Sequence, residues 1–324
     1  MVCTRTNAVL LPHARASAVL EAVHLGEPGP GEVLLRMEAC GLCHSDVFVT
    51  TLEKLPLAPV TLGHEGIGRV EAIGAGVTGW AAGDRAGITF LGTTCGACEW
   101  CTSGRERFCP KQTNFGYTLQ GVLSDFAIAP AAALVRVPEG LGAEIAAPLC
   151  CAGWTAYRAL REAALERGQA VALFGYGGLG HLALQMARHA GLRVSVSDTS
   201  EAKRAQARED GAELDARGLD AAIVFTAAPA AIPQAFRALK RGGTLVLVGL
   251  SVASYELPLV DTVLKGITVR GSYLGTRDDL DRVFALAAQG VLRPHVHTHS
   301  LAETPALLDR LRRGELPGRA VIRW

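Results

Sequence analysis

The sequence has no long run of charge of one sign. Its 32 lysines and arginines are balanced by 31 acidic residues, for a net charge of +1. That leaves no electrostatic footprint for nucleic acid or an anionic membrane. No apolar run approaches the ~20 residues that a spanning helix needs, so no membrane partner is expected. The N-terminal stretch is interrupted by Pro12, His13 and Arg15, so no secretory h-region is expected and the protein is placed in the cytoplasm. Internal repeats and low-complexity tracts are absent as well. Charged residues are sparse, at 19% against 49% apolar, a balance that supplies a sizeable core. At 324 residues, the chain suggests two domains of roughly 100–200 residues each.

Against that background the nine cysteines stand out: Cys3, Cys40, Cys43, Cys95, Cys98, Cys101, Cys109, Cys150 and Cys151. In a reducing compartment, clustered cysteines more often bind metal or do chemistry than pair as disulfides. Cys95, Cys98, Cys101 and Cys109 are spaced closely enough to close a tetrahedron around one zinc, leaving no open position. Such a site is structural. The residues between them, among them Gly96, Gly104, Arg105, Glu106 and Arg107, are too polar and turn-rich to pack unaided, so metal binding supplies the folding energy. Four thiolates leave a charge of −2 on the site, which Arg105, Arg107 or Lys111 could offset. An iron–sulfur cluster is the alternative use of four cysteines. A second constellation comprises Cys43-His44-Ser45-Asp46, Gly63-His64-Glu65 and the distant Cys151. Two thiolates, one imidazole and a water would make an open, catalytic zinc site, at which an alcohol could lose its proton near neutral pH.

Residues 1–145 read as short strands and turns, with LRMEAC, IGRVEAI and SDFAIA as strands between Gly/Pro punctuation. From about residue 146 the pattern becomes strand, helix, strand. AVALF (170–174) is an apolar strand, and RVSVS (193–197), AAIVFT (221–226), LVLVG (245–249) and ITVRG (267–271) are further strands. Leu179, Leu182, Ala183 and Met186 recur at helical spacing up to a C-capping Gly191, and further helices are expected near 231–241 and 278–289. This is an α/β pattern with a doubly wound parallel sheet. Gly175, Gly177, Gly178, Leu179 and Gly180 lie in a G-x-G-x-x-G loop that follows a strand and opens a helix. Asp198 ends the next strand, 18 residues beyond Gly180, near the expected spacing of about 20. The glycines let the backbone approach a pyrophosphate, and the helix N-terminus offers it free N–H groups. Asp198 can accept from a ribose diol and would repel a 2′-phosphate, which favours NAD over NADP.

Together these stretches resemble the zinc-containing medium-chain alcohol dehydrogenases along nearly the whole chain. PGPGEVLLRMEACGLCHSD, GHEGIGRV, CGACEWC with Cys109, APLCCAGWTAYRAL, FGYGGLGHLALQMARHAG and the terminal GRAVI carry the match. The resemblance implies a GroES-like β-rich catalytic domain, residues 1–152 and 271–324, and a Rossmann NAD-binding domain, residues 153–270. It implies two zincs per chain, with Cys43, His64 and Cys151 as catalytic ligands. Glu65 is similar to a transient ligand, and Asp46 to the carboxylate that orients His64. Ala-Gly follows the ligand cysteine in the family, which selects Cys151 over Cys150. His44 and Arg319 resemble pyrophosphate contacts, Thr155 the threonine near the nicotinamide, and Lys203 the lysine by the adenosine ribose. Val248, in the strand LVLVG, is grouped with the cofactor contacts. Ser45 takes the alcohol proton. An alcohol or aldehyde is the expected substrate, and a homodimer or homotetramer the expected assembly.

Two departures stand out. Phe48 occupies the position where the best-known members carry a histidine that ends the proton relay, and the segment between Gly211 and Asp220 is short, implying a trimmed Rossmann half. Phe48, Phe90, Tyr117 and Trp154 are candidate pocket aromatics. The competing functions are reduction of an activated carbon–carbon double bond on a biosynthetic intermediate, a silent NAD-binding sensor, and a zinc module for nucleic acid. The neutral charge balance opposes the last of these.

Overall fold

The structure is a computed structural model that describes residues 4–213 and 217–324; Cys3 lies outside these ranges. Two compact units emerge. The first comprises Met1–Cys151, Thr276–Phe284 and Pro294–Trp324; the second comprises Ala152–Gly275 and Ala285–Arg293. Relative to the expected boundaries, Ala152, residues 271–275 and Ala285–Arg293 group with the second unit.

The first unit is built mainly of antiparallel strands. Its larger sheet runs in the order Val296–His299, Arg319–Arg323, Glu32–Gly41, Glu65–Ile73, Arg85–Ile88 and Val135–Arg136, with Phe126–Pro130 also paired to Glu32–Gly41. A smaller sheet sets Thr4–Leu11 between Val19–Leu25 and Val60–Thr61. Alternation decides which face is buried: Val33, Leu35 and Met37 point into the core while Arg36 faces solvent. Val9, Leu11, Leu62, Ile88 and Leu123 complete the filling, each wholly buried. Burying an aliphatic side chain of this size contributes about 1.5–3 kcal/mol. Not every element here is a strand or turn, as the sequence reading had it. His44–Thr51 forms a helix, because Cys43 and Asp46 cap its first turn reciprocally.

The second unit is a five-stranded, wholly parallel sheet in the order Arg193–Ser197, Ala170–Phe174, Leu219–Val224, Leu239–Leu247, Thr268–Gly271. Ala170–Phe174 is buried along its length, as a central parallel strand covered on both faces must be. Strand order reverses beside it, so the carboxyl ends of Ala170–Phe174 and Leu219–Val224 flank the switch point at which doubly wound sheets bind ligands. The helix Gly180–His189 follows the first strand and ends before Gly191, whose φ of +78° closes it. The expected helix near 231–241 ends at Ala238, and strand begins at Leu239.

Between Arg193–Ser197 and Leu219–Val224 the described chain forms one helix, Glu201–Glu209. It rejoins the sheet edge only at Glu213, which bridges Ser195 in parallel. A groove of about 670 Å³ lies on the sheet, lined by Ala172, Phe174, Ser195, Ser197 and, from the helix Ala231–Ala238, Gln234 and Arg237. Among the described residues, no helix is long and apolar enough to cross a membrane.

Candidate active site and metal centres

Asp46 organises the buried cluster in the first unit. Cys43 is the N-cap of the helix His44–Thr51, with extended backbone. Its N–H donates to Asp46 Oδ2 at 2.9 Å. Asp46 Oδ1 accepts the Gly63 N–H at 3.2 Å and faces His64 Nδ1 at 3.1 Å. An ionised carboxylate only accepts, so the Nδ1 position of His64 carries the proton and Nε2 is left as an acceptor. That Nε2 is buried and has no partner among the described residues. Cys43, His64, Glu65 and Cys151 each bring one ligand atom within 4.8 Å of the others. The Cys43 and Cys151 sulfurs are 3.9 Å apart. Two sulfurs at ~2.3 Å from a tetrahedral zinc would be about 3.8 Å apart, so the donor set fits that ion.

Cys151 reaches the cluster from a π-helical stretch, Leu149–Gly153, which precedes the helix Trp154–Ala163. Such bulges recur at functional sites because the extra residue re-aims a side chain. Cys150 is packed elsewhere, close enough to Gly87 that a Cβ there would lie 3.4 Å from its sulfur. Burial pushes its thiol far above the ordinary range. The structure thus brings Cys151, and not Cys150, to the metal cluster. Hydrogen bonding from Cys151 lowers the Cys43 pKa well below its usual value against the opposing effect of burial, with help from His64. Burial depresses His64, but the Asp46 carboxylate and the Cys43 sulfur more than offset it.

Glu65 is wholly buried, and both of its carboxylate oxygens are bonded by Arg319 Nη2. Burial raises Glu65 to about 7, even though Arg319 opposes the rise. Gly41 is required beside this pair, since a Cβ there would come within 2.0 Å of Glu65 Oε2. Ser45 Oγ stands 3.6 Å from Cys43 Sγ. Of the candidate aromatics, Phe90 packs edge-on against His64 with ring centroids 5.2 Å apart. Phe48 is 41% exposed.

The four-cysteine lobe gathers as the spacing requires, with ligand atoms of Cys95, Cys98, Cys101 and Cys109 within 4.8 Å of one another. Cys98 and Cys101 sulfurs lie 3.5 Å apart, and those of Cys95 and Cys101 lie 3.9 Å apart. The N–H groups of Ala97 and Cys98 aim at Cys95 and bring its thiol down to about 6, so it is poised to bind as a thiolate. Arg105 and Arg107 stack over Trp100 and Phe108 at 4.7 and 4.5 Å, placing two of the three expected cations within the lobe.

In the second unit the glycine loop has the form a phosphate cradle needs. Gly175 has φ +101°, which favours glycine, and a Cβ on Gly180 would meet the Gly175 carbonyl at 2.1 Å. Around Gly177 there is open space for a Cβ and more. Gly178 and Leu179 lead into the helix Gly180–His189, with Leu179 at its N-cap. Asp198 is already engaged: its Oδ2 accepts the Tyr176 N–H at 2.8 Å and its Oδ1 the Ser200 N–H at 2.9 Å. Lys203 lies in the first turn of Glu201–Glu209, which Ser200 caps. Val248 follows the strand Leu239–Leu247, its N–H bonded to the Val224 carbonyl. Thr155 sits in the first turn of Trp154–Ala163, and His44 is exposed at the first turn of its own helix. Thr226 and Gly249 pack so closely that a Cβ on Gly249 would lie 2.3 Å from the Thr226 carbonyl.

Comparison with known proteins agrees with this geometry. Residues 29–139 match the alcohol dehydrogenase GroES-like domain, and residues 213–289 match the zinc-binding dehydrogenase domain. An alcohol dehydrogenase of Geobacillus stearothermophilus is 40% identical over 313 residues, covering 90% of this chain and 91% of the relative. The chain belongs to the zinc-containing medium-chain alcohol dehydrogenase family. The alcohol dehydrogenase of the hyperthermophilic archaeon Aeropyrum pernix superposes with a TM-score of 0.90 at 30% identity, over 98% of this chain and 100% of that one. An acetophenone reductase from Geotrichum candidum in complex with NAD superposes at 0.88 and 29% identity, over 99% and 97% of the two chains.

Two outcomes are expected from this family geometry. Asp46→Ala should lower affinity for the zinc on Cys43, His64 and Cys151 about 10–100-fold while the four-cysteine zinc stays bound. Competition with a graded chelator, followed by metal analysis, reads both sites; equal loss from both would contradict the role of Asp46. Cys98→Ser should instead lower the melting temperature with loss of one tightly held zinc, as scanning calorimetry and metal analysis on the same sample would show.

Proposed function

We infer that the chain transfers a hydride between NAD(H) and a primary or secondary alcohol, the aldehyde or ketone being the other partner. The buried His64 Nε2 carries the reading, since it stands unpartnered among the described residues beside two thiols. Zinc held by Cys43, His64 and Cys151 would supply Lewis-acid polarisation of the alcohol oxygen. The hydride acceptor is NAD, for which the glycine loop offers the pyrophosphate cradle and Asp198 the ribose acceptor. A second zinc on Cys95, Cys98, Cys101 and Cys109 closes the lobe.

The chain's own groups then have separate tasks. Asp46 fixes the His64 tautomer and ring plane. Ser45, beside Cys43, accepts the alcohol proton. The exposed Phe48 ring offers no acceptor, so the proton leaves by the exposed His44, by the cofactor ribose or directly to water. Glu65, held by Arg319, stands ready as a transient metal ligand. Leaving either member of this buried pair alone would cost about 3–5 kcal/mol, so each balances the other's charge. Asp198 repels a 2′-phosphate, which selects NAD. The first unit carries the chemistry and the second the dinucleotide.

The assembly is assigned as a homodimer or homotetramer in the cytoplasm. Thr268–Gly271 is an edge strand of the parallel sheet, and Leu259, Val260, Val263 and Leu264 of the preceding helix are each at least 66% exposed. An apolar surface of this kind beside an open edge is commonly covered by a partner.

Metal analysis with NADH formation from a panel of alcohols tests the reading. The intact protein should hold two zincs per chain, and Cys43→Ala should keep its fold by circular dichroism while losing turnover. A folded Cys43→Ala protein with full turnover would refute the mechanism. Asp198→Ala should weaken NAD and narrow the preference over NADP, measured as the ratio of kcat/KM for the two cofactors. An unchanged ratio would remove Asp198 from the recognition of the ribose.

A further inference from the structure

Tyr176 occupies a variable position of the glycine loop, yet it is 5% exposed and bonded at both ends. Its N–H donates to Asp198 Oδ2 at 2.8 Å. Its phenol O–H donates to Asp210 Oδ2. Asp198 lies three residues before the helix Glu201–Glu209, two ahead of its N-cap Ser200, and Asp210 is the C-cap of that helix. One residue of the loop therefore grips both ends of the crossover that carries Asp198 and Lys203. Asp210 is itself well placed as an anchor: its carbonyl accepts Arg188 Nη1 from the helix Gly180–His189, and its Oδ1 accepts Gln206 Nε2 at 3.3 Å.

The reason for such a clamp lies in the short segment beyond it. A crossover helix is ordinarily secured by the strand that follows it. Here the described chain after Gly211 meets the sheet edge at Glu213 alone, through one bridge to Ser195. Burial and the Asp210 carboxylate both keep the phenol protonated, so its donor is available at any working pH. A hydrogen bond to a carboxylate is among the stronger kinds available to a side chain.

We propose that Tyr176 is the positioning residue for the adenosine half of the dinucleotide. Through Asp210 and Asp198 it sets the helix Glu201–Glu209 against the phosphate cradle, replacing the anchorage of a longer following strand. The phenol need touch no part of the cofactor. The proposal rests on the reading of the glycine loop as the NAD site.

Calorimetric titration of the zinc-loaded protein with NAD and with ADP-ribose tests it, using wild type, Tyr176→Phe, Asp210→Asn, Asp210→Ala and Asp198→Ala. Tyr176→Phe and Asp210→Ala should each weaken both ligands about tenfold, the order expected for loss of one hydrogen bond to a charged group. The KM for NAD should rise alike, with kcat at saturating NAD and the KM for alcohol holding. Asp210→Asn, whose amide oxygen still accepts from the phenol, should recover most of the affinity. If Tyr176→Phe and Asp210→Ala lower the melting temperature but bind ADP-ribose within about twofold of wild type, Tyr176 only stabilises the unit and the proposal fails. If Asp198→Ala is equally without effect on binding, the assignment of the dinucleotide site itself is at fault. Should Tyr176→Phe not fold, the Asp210 pair decides the question from the other end of the same bond.

Discussion

A single buried carboxylate, that of Asp46, joins two segments of chain, Cys43–Asp46 and Gly63–His64. It caps the helix that begins after Cys43, ties down the backbone at Gly63, and holds the imidazole of His64. Each bond is buried and shielded from water, a setting in which hydrogen bonds to a charge are strongest and an unmatched partner is most costly. Geometry at the metal follows from this. With Nδ1 committed to Asp46, Nε2 can only point into the space shared with the two sulfurs. Asp46 therefore fixes His64 in the orientation that a metal shared with the two sulfurs requires.

The two metal centres use the same element's chemistry in opposite settings. Around Cys43, His64 and Cys151 the side chains are buried, charges are few and each has a named counterpart, as Glu65 has in Arg319. Three protein donors leave a coordination position open to a substrate. In the four-cysteine lobe the sulfurs are mostly near solvent, the ligand shell is complete, and aromatic rings with arginines over their faces form its packing. A site of that kind stabilises a loop and leaves no room for a reacting molecule. The distinction between chemistry and scaffold is thus one of donor count and burial.

In the second unit the governing constraint is backbone proximity. Gly175, Gly180 and Gly249 stand where a side chain would strike a neighbouring carbonyl or N–H. The loop leads into the N-terminus of Gly180–His189, the end of a helix that favours an anion. The shortened crossover leaves this arrangement intact because the parallel strands that carry the loop pair with one another, Arg193–Ser197 and Leu219–Val224 on either side of Ala170–Phe174.

Much of this was legible in the residues alone. The spacing of Cys95, Cys98, Cys101 and Cys109 specified a closed metal site because four ligands within 15 residues need little help from the rest of the fold. The apolar run 170–174 became a strand over those same residues, since a fully buried parallel strand has to be apolar on both faces. The family motifs carried the fold class and the chemistry. Cys43, Cys150 and Cys151 are different: a preference for Cys151 came from a motif, and only the π-helical turn at Leu149–Gly153 aimed one of two adjacent thiols at Cys43. The helix after Cys43 was missed because its stability comes from a cap and tertiary contacts, with apolar periodicity too weak to mark it. The grip of Arg319 on Glu65 and the link from Tyr176 to Asp210 join residues 254 and 34 positions apart. Local sequence determined which groups were available, because spacing and periodicity act within a few turns of chain. Which of them met was decided by the tertiary fold, because a contact between distant residues depends on how every intervening element packs.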